Sequence, residues 1–228
     1  IAVSRTETDK SYFHVTDYDE TPSGDILIHL AEQSDRLVVN SSTNVVMIDA
    51  EKTLDCLLKK KYKKIIYCSS SVVYGDLASS PFKEEDHAEP YDTYSMMKVN
   101  NEHKVINVGG IVVRFSNVIG RGMSKNNVLS DILSQISENG PLYVQNDKPI
   151  RDFVAVHDVV AALIKLVVSG TSGVYNVGSG VGVSIKELAE LALKIVLKQK
   201  TVVKSIKEIT TSSYNVVDIN KMKNKYNW

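Results

Sequence analysis

Lys64-Ile65-Ile66-Tyr67-Cys68-Ser69-Ser70-Ser71-Val72-Val73-Tyr74-Gly75, followed 24 residues after Ser70 by Tyr94-Ser95-Met96-Met97-Lys98, is the stretch on which the fold turns. An apolar run that stops at three serines reads as a buried parallel strand ending at a functional loop. Tyr94 and Lys98 stand four apart, so on a helix they share one face with Cβ atoms about 5–6 Å apart. A free tyrosine titrates near pH 10, roughly three units too high for a base at neutral pH. A lysine cation beside it favours the phenolate, and a serine hydroxyl from another element can orient a hydroxyl or carbonyl. Ser70, Tyr94 and Lys98 are therefore the candidate catalytic trio, of the kind that moves a proton while a cofactor carries hydride.

Four further blocks follow in order: Gly110-Ile111-Val112-Val113-Arg114-Phe115-Ser116-Asn117-Val118-Ile119-Gly120, Arg151-Asp152-Phe153-Val154-Ala155-Val156-His157-Asp158-Val159, Gly173-Val174-Tyr175-Asn176-Val177-Gly178-Ser179-Gly180, and Ser184 with Glu187 three residues on. Together with the first stretch they resemble the extended short-chain dehydrogenase/reductase family, in its NAD-dependent, nucleotide-sugar epimerase and dehydratase branch. The resemblance covers almost the whole chain. It implies a Rossmann-like, doubly wound parallel α/β sheet with a smaller C-terminal α/β substrate-binding lobe. It places Ser71, Asn117 and Arg151 against a nucleotide-diphosphate sugar, Arg151 at the diphosphate, where a planar guanidinium fork binds phosphate oxygens in pairs. Residues 1–120 are then the dinucleotide-binding domain, with 151–180 contributing to it, and 121–150 with 181–228 form the substrate lobe.

On the cofactor side, the resemblance implies NAD or NADP held by Arg5, Asp17, Leu30, Ala31, Ser69, Tyr94, Lys98 and Val118. An arginine ending the second strand suits a 2′-phosphate, whereas an acid there suits the ribose 2′-hydroxyl. Arg5 thus favours NADP, epimerases of the family favour NAD, and both stay open. Asp17 falls where relatives hold the adenine amino group, and it reads equally well as a surface turn acid. Two departures from the family pattern count against the expectation of tight cofactor binding. Glu32 stands where a small residue is usual, implying contact through water or a shifted main chain, and Asp49 and Lys52 replace an Asn and a Gly. The family's first strand and Gly-x-x-Gly-x-x-Gly turn, whose amides receive the pyrophosphate, have no counterpart before Gly75. The expectation is that a preceding segment is lost from this sequence.

Composition fits an enzyme of this kind. With 228 residues, 43% apolar, and 27 basic against 27 acidic residues, the chain can bury a sizeable core and carries zero formal charge. A neutral chain argues against nucleic acid and anionic membrane as partners, and the Lys59–Lys64 basic run reads as a solvated helix end. No apolar run approaches a membrane span. Cys56 and Cys68 are too few for a metal or disulfide framework and read as reduced packing residues in a cytoplasmic protein. None of the five histidines has a metal partner in the pattern. His157 is expected to orient a turn or pack beside the sheet.

Helices are expected at Thr43 to Lys60, Tyr91 to His103, Asn126 to Glu138, Asp158 to Val168 with Asp158 as N-cap, and Ser184 to Leu197 behind a capping box. The exposed sides of the first two are expected to form a homodimer face, as in the family. A 4,6-dehydratase would need an Asp-Glu pair after the catalytic hydroxyl, and Ser71-Val72 stands there instead. The remaining readings are a 4-epimerase of the UDP-glucose type, an NADPH-dependent 4-ketoreductase, or a non-catalytic cofactor-binding or scaffold protein. The last fits poorly with a chain that keeps both Tyr94 and Lys98.

Overall fold

A computed structural model describes residues 1–5, 11–42, 44–136, 141–196, 202–207 and 213–228. In chain order, β1 (Ala2–Ser4), β2 (Tyr12–His14) and β3 (Ile26–His29) precede α1 (Arg36–Ser41) and α2 (Val45–Leu58). Then come β4 (Lys64–Ser70), α3 (Thr93–Asn107), β5 (Ile111–Phe115), β6 (Asn117–Ile119), α4 (Val128–Gln135), β7 (Leu142–Val144) and β8 (Ile150–Ala155). The chain closes with α5 (Val156–Ser169), β9 (Gly173–Val177), β10 (Gly182–Ser184), α6 (Ile185–Val196), β11 (Val203–Ser205), β12 (Tyr214–Asn215) and α7 (Asn220–Tyr226).

Alternation along β4 and β5 explains why both faces of the sheet are covered. Side chains two apart share a face, so Ile65 and Tyr67 pack with Val112, Leu54 of α2 and Val105 of α3 on one side. Ile66, Ile111 and Val113 pack on the other, with Val159, Ala162 and Leu166 of α5 and Met222 of α7. The result is a parallel sheet in the order β3-β4-β5-β9 with helices on both sides, an α/β doubly wound arrangement. β1 and β2 form a separate parallel pair. Val3 of β1 and Leu27 of β3 nevertheless pack against the same cluster of Val15, Tyr18 and Leu57. On β3, Ile26 and Ile28 are exposed.

A second sheet centres on β8, which pairs in parallel with β6 and β12 and antiparallel with β10. Beside it, β7 pairs with β11, and Leu142 and Val144 meet Ile132 of α4 and Leu188 and Leu193 of α6. β9 belongs to the main sheet, so the chain returns to it after β8 and α5.

Local sequence accounts for the element ends. Asp92 accepts from the Ser95 amide while Ser95 Oγ accepts from the Asp92 amide, a reciprocal cap that starts α3 two residues later than the Tyr91 expected. Ser184 and Glu187 form the expected capping box ahead of α6. α5 differs: β8 runs straight into it, so Ala155 occupies the N-cap and Asp158 sits inside the first turn, where its charge complements the helix dipole. His157 is consequently exposed on that turn, 3.4 Å from Asp158, rather than packed beside the sheet as expected. α4 is capped by Asn127, and the residues expected to extend it past Ile136 lie outside those described, as does Leu197 after α6.

Candidate active site

The open end of the parallel sheet is where β4 stops. Ser70 ends the strand and caps a single 3-10 turn, Ser71–Tyr74, its Oγ accepting from the Val72 amide at 3.3 Å. Gly75 closes that turn at φ +81°, a conformation that disfavours any side chain. α3 descends beside it, and its first turn is fixed from outside. Asn40 of α1 accepts from the Tyr94 amide at 3.0 Å and donates to Asp92 at 2.7 Å, while Arg36 Nε donates to Asp92 at 2.5 Å. Burial pushes the Asp92 carboxyl up, but these bonds and the two from Ser95 outweigh it and hold it at about 2.

Ser70, Ser71, Tyr94, Asn117 and Arg151 all line one cleft of about 270 Å³, together with Arg36, Asp76, Tyr91 and Asn215. Five of the residues singled out from sequence, drawn from β4 and the turn after it, α3, β6 and β8, therefore converge. Ser71 Oγ donates to Asn215 at 2.7 Å, and Asn117 Nδ2 donates to the Asp152 carbonyl at 2.9 Å. Arg151 lies across the cleft, held by the Ile150 and Ser213 carbonyls and by Ser213 Oγ, with Asp76 at 3.6 Å. Those bonds use three of its five N–H donors. Burial lowers its pKa, and Asp76 offsets this only in part.

Lys98 is one turn below Tyr94, its ammonium 5.7 Å from the Tyr94 ring centre and 5.2 Å from that of Tyr67. It does not line the cleft. Its Nζ donates to Glu32 Oε2 at 2.6 Å and to the Cys68 carbonyl at 3.1 Å. Burial alone would lower the lysine pKa, and the Glu32 charge raises it on balance. Glu32 in turn accepts from Tyr67 Oη and Asn101 Nδ2, both at 2.8 Å, with His29 Nε2 at 3.5 Å. Burial pushes that carboxyl up, but its histidine and lysine neighbours prevail and hold it at about 2. The Glu32 side chain is thus one half of a buried ion pair with Lys98.

The other expected cofactor contacts are scattered. Arg5 pairs with Asp49 at 2.9 Å and lies over the Tyr18 ring, so its charge is already matched. Ser69 is buried and donates to Glu102, which also holds Arg114 at 2.6 Å. Asp17 is exposed, Leu30 is exposed at the end of β3, Ala31 is half-buried, and Val118 is exposed on β6. Burial pushes the Cys68 thiol up to about 12, which fits a packing residue. Among the described residues no group of histidine, cysteine and carboxylate could hold a metal, and no helix is long and apolar enough to cross a membrane.

Sequence reading missed Arg36, Asp76 and Ser213. Arg36 follows a good N-cap, Asp35, and reads as an ordinary helix start until the fold turns it into the cleft. Asp152 was quoted only as part of its block. Its carboxylate accepts from Ser116 Oγ and from the Ser179 and Gly180 amides, tying β8 to the loop after β9. A Cβ on Gly178 would lie 2.5 Å from that carboxylate, which is why glycine stands there.

The profile of the NAD dependent epimerase/dehydratase family matches residues 10–178, well over half of the chain. The chain belongs to that family. It is 27% identical over 221 residues to dTDP-4-dehydro-6-deoxyglucose reductase of Escherichia coli, an alignment covering 85% of this chain and 69% of that protein. Across three such curated relatives it spans between 61% and 69% of their length. Among solved structures, RMD from Pseudomonas aeruginosa complexed with NADPH superposes with a TM-score of 0.84 at 23% identity, covering 95% of this chain and 83% of that one. UDP-glucose 4-epimerase from Thermotoga maritima with UDP-glucose gives 0.83 at 20% identity, covering 99% and 84%. The fold is therefore that of this family, and the solved structures that share it include complexes with NADPH and with NAD.

Proposed function

We propose that this chain acts on the C4 oxygen of a nucleotide-diphosphate sugar, with Ser70 and Tyr94 as catalytic residues and Lys98 behind them. The observation that carries the reading is the convergence of Ser70, Tyr94, Asn117 and Arg151 on one cleft. The Ser70 Oγ lone pair is engaged by the Val72 amide, which leaves the hydroxyl hydrogen free to donate to a sugar oxygen. The Tyr94 phenolic oxygen takes the proton of the C4 hydroxyl when the sugar is oxidised and returns it when the ketone is reduced. Arg151 offers its remaining donors to the diphosphate, as a paired charge-assisted contact. We assign Ser71 and Asn117 to the same substrate, and α4 and α6, within residues 121–150 and 181–228, to the smaller substrate lobe.

The residues present fit a dinucleotide beside this cleft in one respect: with two of three N–H donors used, Lys98 keeps one for a ribose hydroxyl next to Tyr94. Bound NAD or NADP would supply and accept the hydride. Interconversion of UDP-glucose and UDP-galactose is one reading, supported by the Ser69-Ser70-Ser71-Val72-Val73-Tyr74-Gly75 and Arg114-Phe115-Ser116-Asn117 motifs. Reduction of a nucleotide-4-keto-sugar is the second, supported by likeness to the E. coli reductase. Dehydration is disfavoured because Ser71 and Val72 supply no acid after Ser70.

Assays separate these readings. Epimerisation of UDP-glucose without added cofactor supports the first. NADPH oxidation that depends on a 4-keto-6-deoxy sugar nucleotide supports the second. Folded protein that does neither would contradict both and support a scaffold. In either case the enzyme is expected to work as a homodimer in the cytoplasm, through the outer faces of α2 and α3.

A further inference from the structure

The carboxylate of Glu32 is fixed from three elements. His29 approaches from its own strand end, Tyr67 from β4, and Asn101 and Lys98 from α3. Its side chain is 3% exposed and that of Lys98 is 7% exposed. A carboxylate with this many donors does not swing aside to make room for a ligand. An ammonium has three donors, and Glu32 and the Cys68 carbonyl take two of them. With a small residue in place of Glu32, the lysine would have one more donor, and an uncompensated charge, to offer.

We infer that Glu32 is a positioning residue that claims Lys98 for the protein's interior, so that a dinucleotide is held loosely and exchanges between turnovers. The inference rests on the proposed placement of NAD or NADP beside Lys98 and deepens it, since an exchangeable cofactor belongs to a reductase supplied with NADPH, whereas an epimerase retains its cofactor. Two effects act together. One charge-assisted hydrogen bond to a ribose hydroxyl is lost to Glu32, and its negative charge cancels the field that Lys98 would otherwise project toward the phosphates. The titratable and charged groups that face this pair are His29 of β3, Tyr67 and Cys68 of β4, and Tyr94 and Glu102 of α3. Of these, only Glu102 adds negative charge near Tyr67, and it is itself matched by Arg114.

The first test needs no variant. Protein purified and desalted is expected to carry no dinucleotide and to bind added NADPH reversibly. Stoichiometric NAD or NADP surviving purification would overturn the inference while leaving the active site assignment intact. The second test measures NADPH affinity by fluorescence titration in the parent, in Glu32→Gln, in Lys98→Met and in the double variant, with folding checked by circular dichroism. Glu32→Gln keeps the shape and an acceptor for Lys98 while removing the charge, and the restored field of the lysine is expected to tighten NADPH about tenfold. That gain is expected to vanish when Lys98 is Met, which a purely structural role would not require. Equal or weaker binding in folded Glu32→Gln would overturn the inference alone. Failure of every folded form to bind any dinucleotide would overturn it together with the proposed function.

Discussion

The two sides of the site are built to opposite rules. On the side we propose for the substrate, Ser70, Tyr94, Asn117 and Arg151 reach the cleft with donors still to spend. On the side we propose for the cofactor, the two cations Arg5 and Lys98 are both matched from within, by Asp49 and by Glu32. The difference teaches that a family motif can be complete as a string of residues while its charge is not available. Tyr94 and Lys98 stand at the right spacing, yet the residue that decides what Lys98 can offer lies 66 positions earlier in the chain.

The largest effect expected on the substrate side is from Tyr94→Phe, which removes the hydroxyl and keeps the ring. Turnover in either assay should fall by about 10²–10⁴-fold, with thermal stability nearly unchanged, because no hydrogen bond of the fold depends on that hydroxyl among the described residues. Retained turnover would break the comparison at its stronger half. Arg151→Met should raise KM for the sugar nucleotide about 10–100-fold with a smaller change in kcat, as expected for loss of charge-assisted phosphate contacts worth about 1.5–3 kcal/mol. A fall in kcat at unchanged KM would move Arg151 out of the diphosphate site.

Smaller effects sharpen the border between the two sides. Asp92 caps α3 and holds Arg36, so Asp92→Ala should cost about 1–2 kcal/mol in urea unfolding. Its pKa of about 2 lies below the ordinary 3.8, so its contribution is full above about pH 4 and disappears as pH falls through about 2. The stability gap between parent and Asp92→Ala should therefore close on acidification, and a gap that widens would refute the cap. Arg5→Ala should change the ratio of NADP to NAD affinity by less than about threefold, since a half-exposed, already paired arginine contributes little. A large loss of NADP preference would show that Arg5 leaves Asp49 for a 2′-phosphate.

Much of the fold was legible because it follows from local patterns. The Lys64 to Cys68 run, its terminal serines, the Ile111 to Phe115 strand and the Ser184/Glu187 cap are each written in adjacent residues. Asp158 was misplaced as a cap because β8 passes into α5 without a loop, and nothing in the residue string marks so abrupt a junction. The candidate site was legible for residues on strand ends and on one helix face. Arg36 and Asp76 escaped because they reach the cleft from a short helix and a turn, and Ser213 because it holds Arg151 and Asp76 from a distant segment, so that only the packed chain brings them together. Glu32 was visible as a departure, but its consequence was not, since Tyr67, Asn101 and Lys98 converge on it only after β4 and α3 pack against the end of β3.

The most direct test of the site is a crystal structure of the protein with UDP-glucose. Tyr94 Oη and Ser70 Oγ should both lie within about 3.2 Å of the C4 oxygen, with Arg151 against the diphosphate and the Lys98–Glu32 pair unbroken. A sugar nucleotide bound with its C4 oxygen away from Tyr94, or on a different surface altogether, would contradict the account.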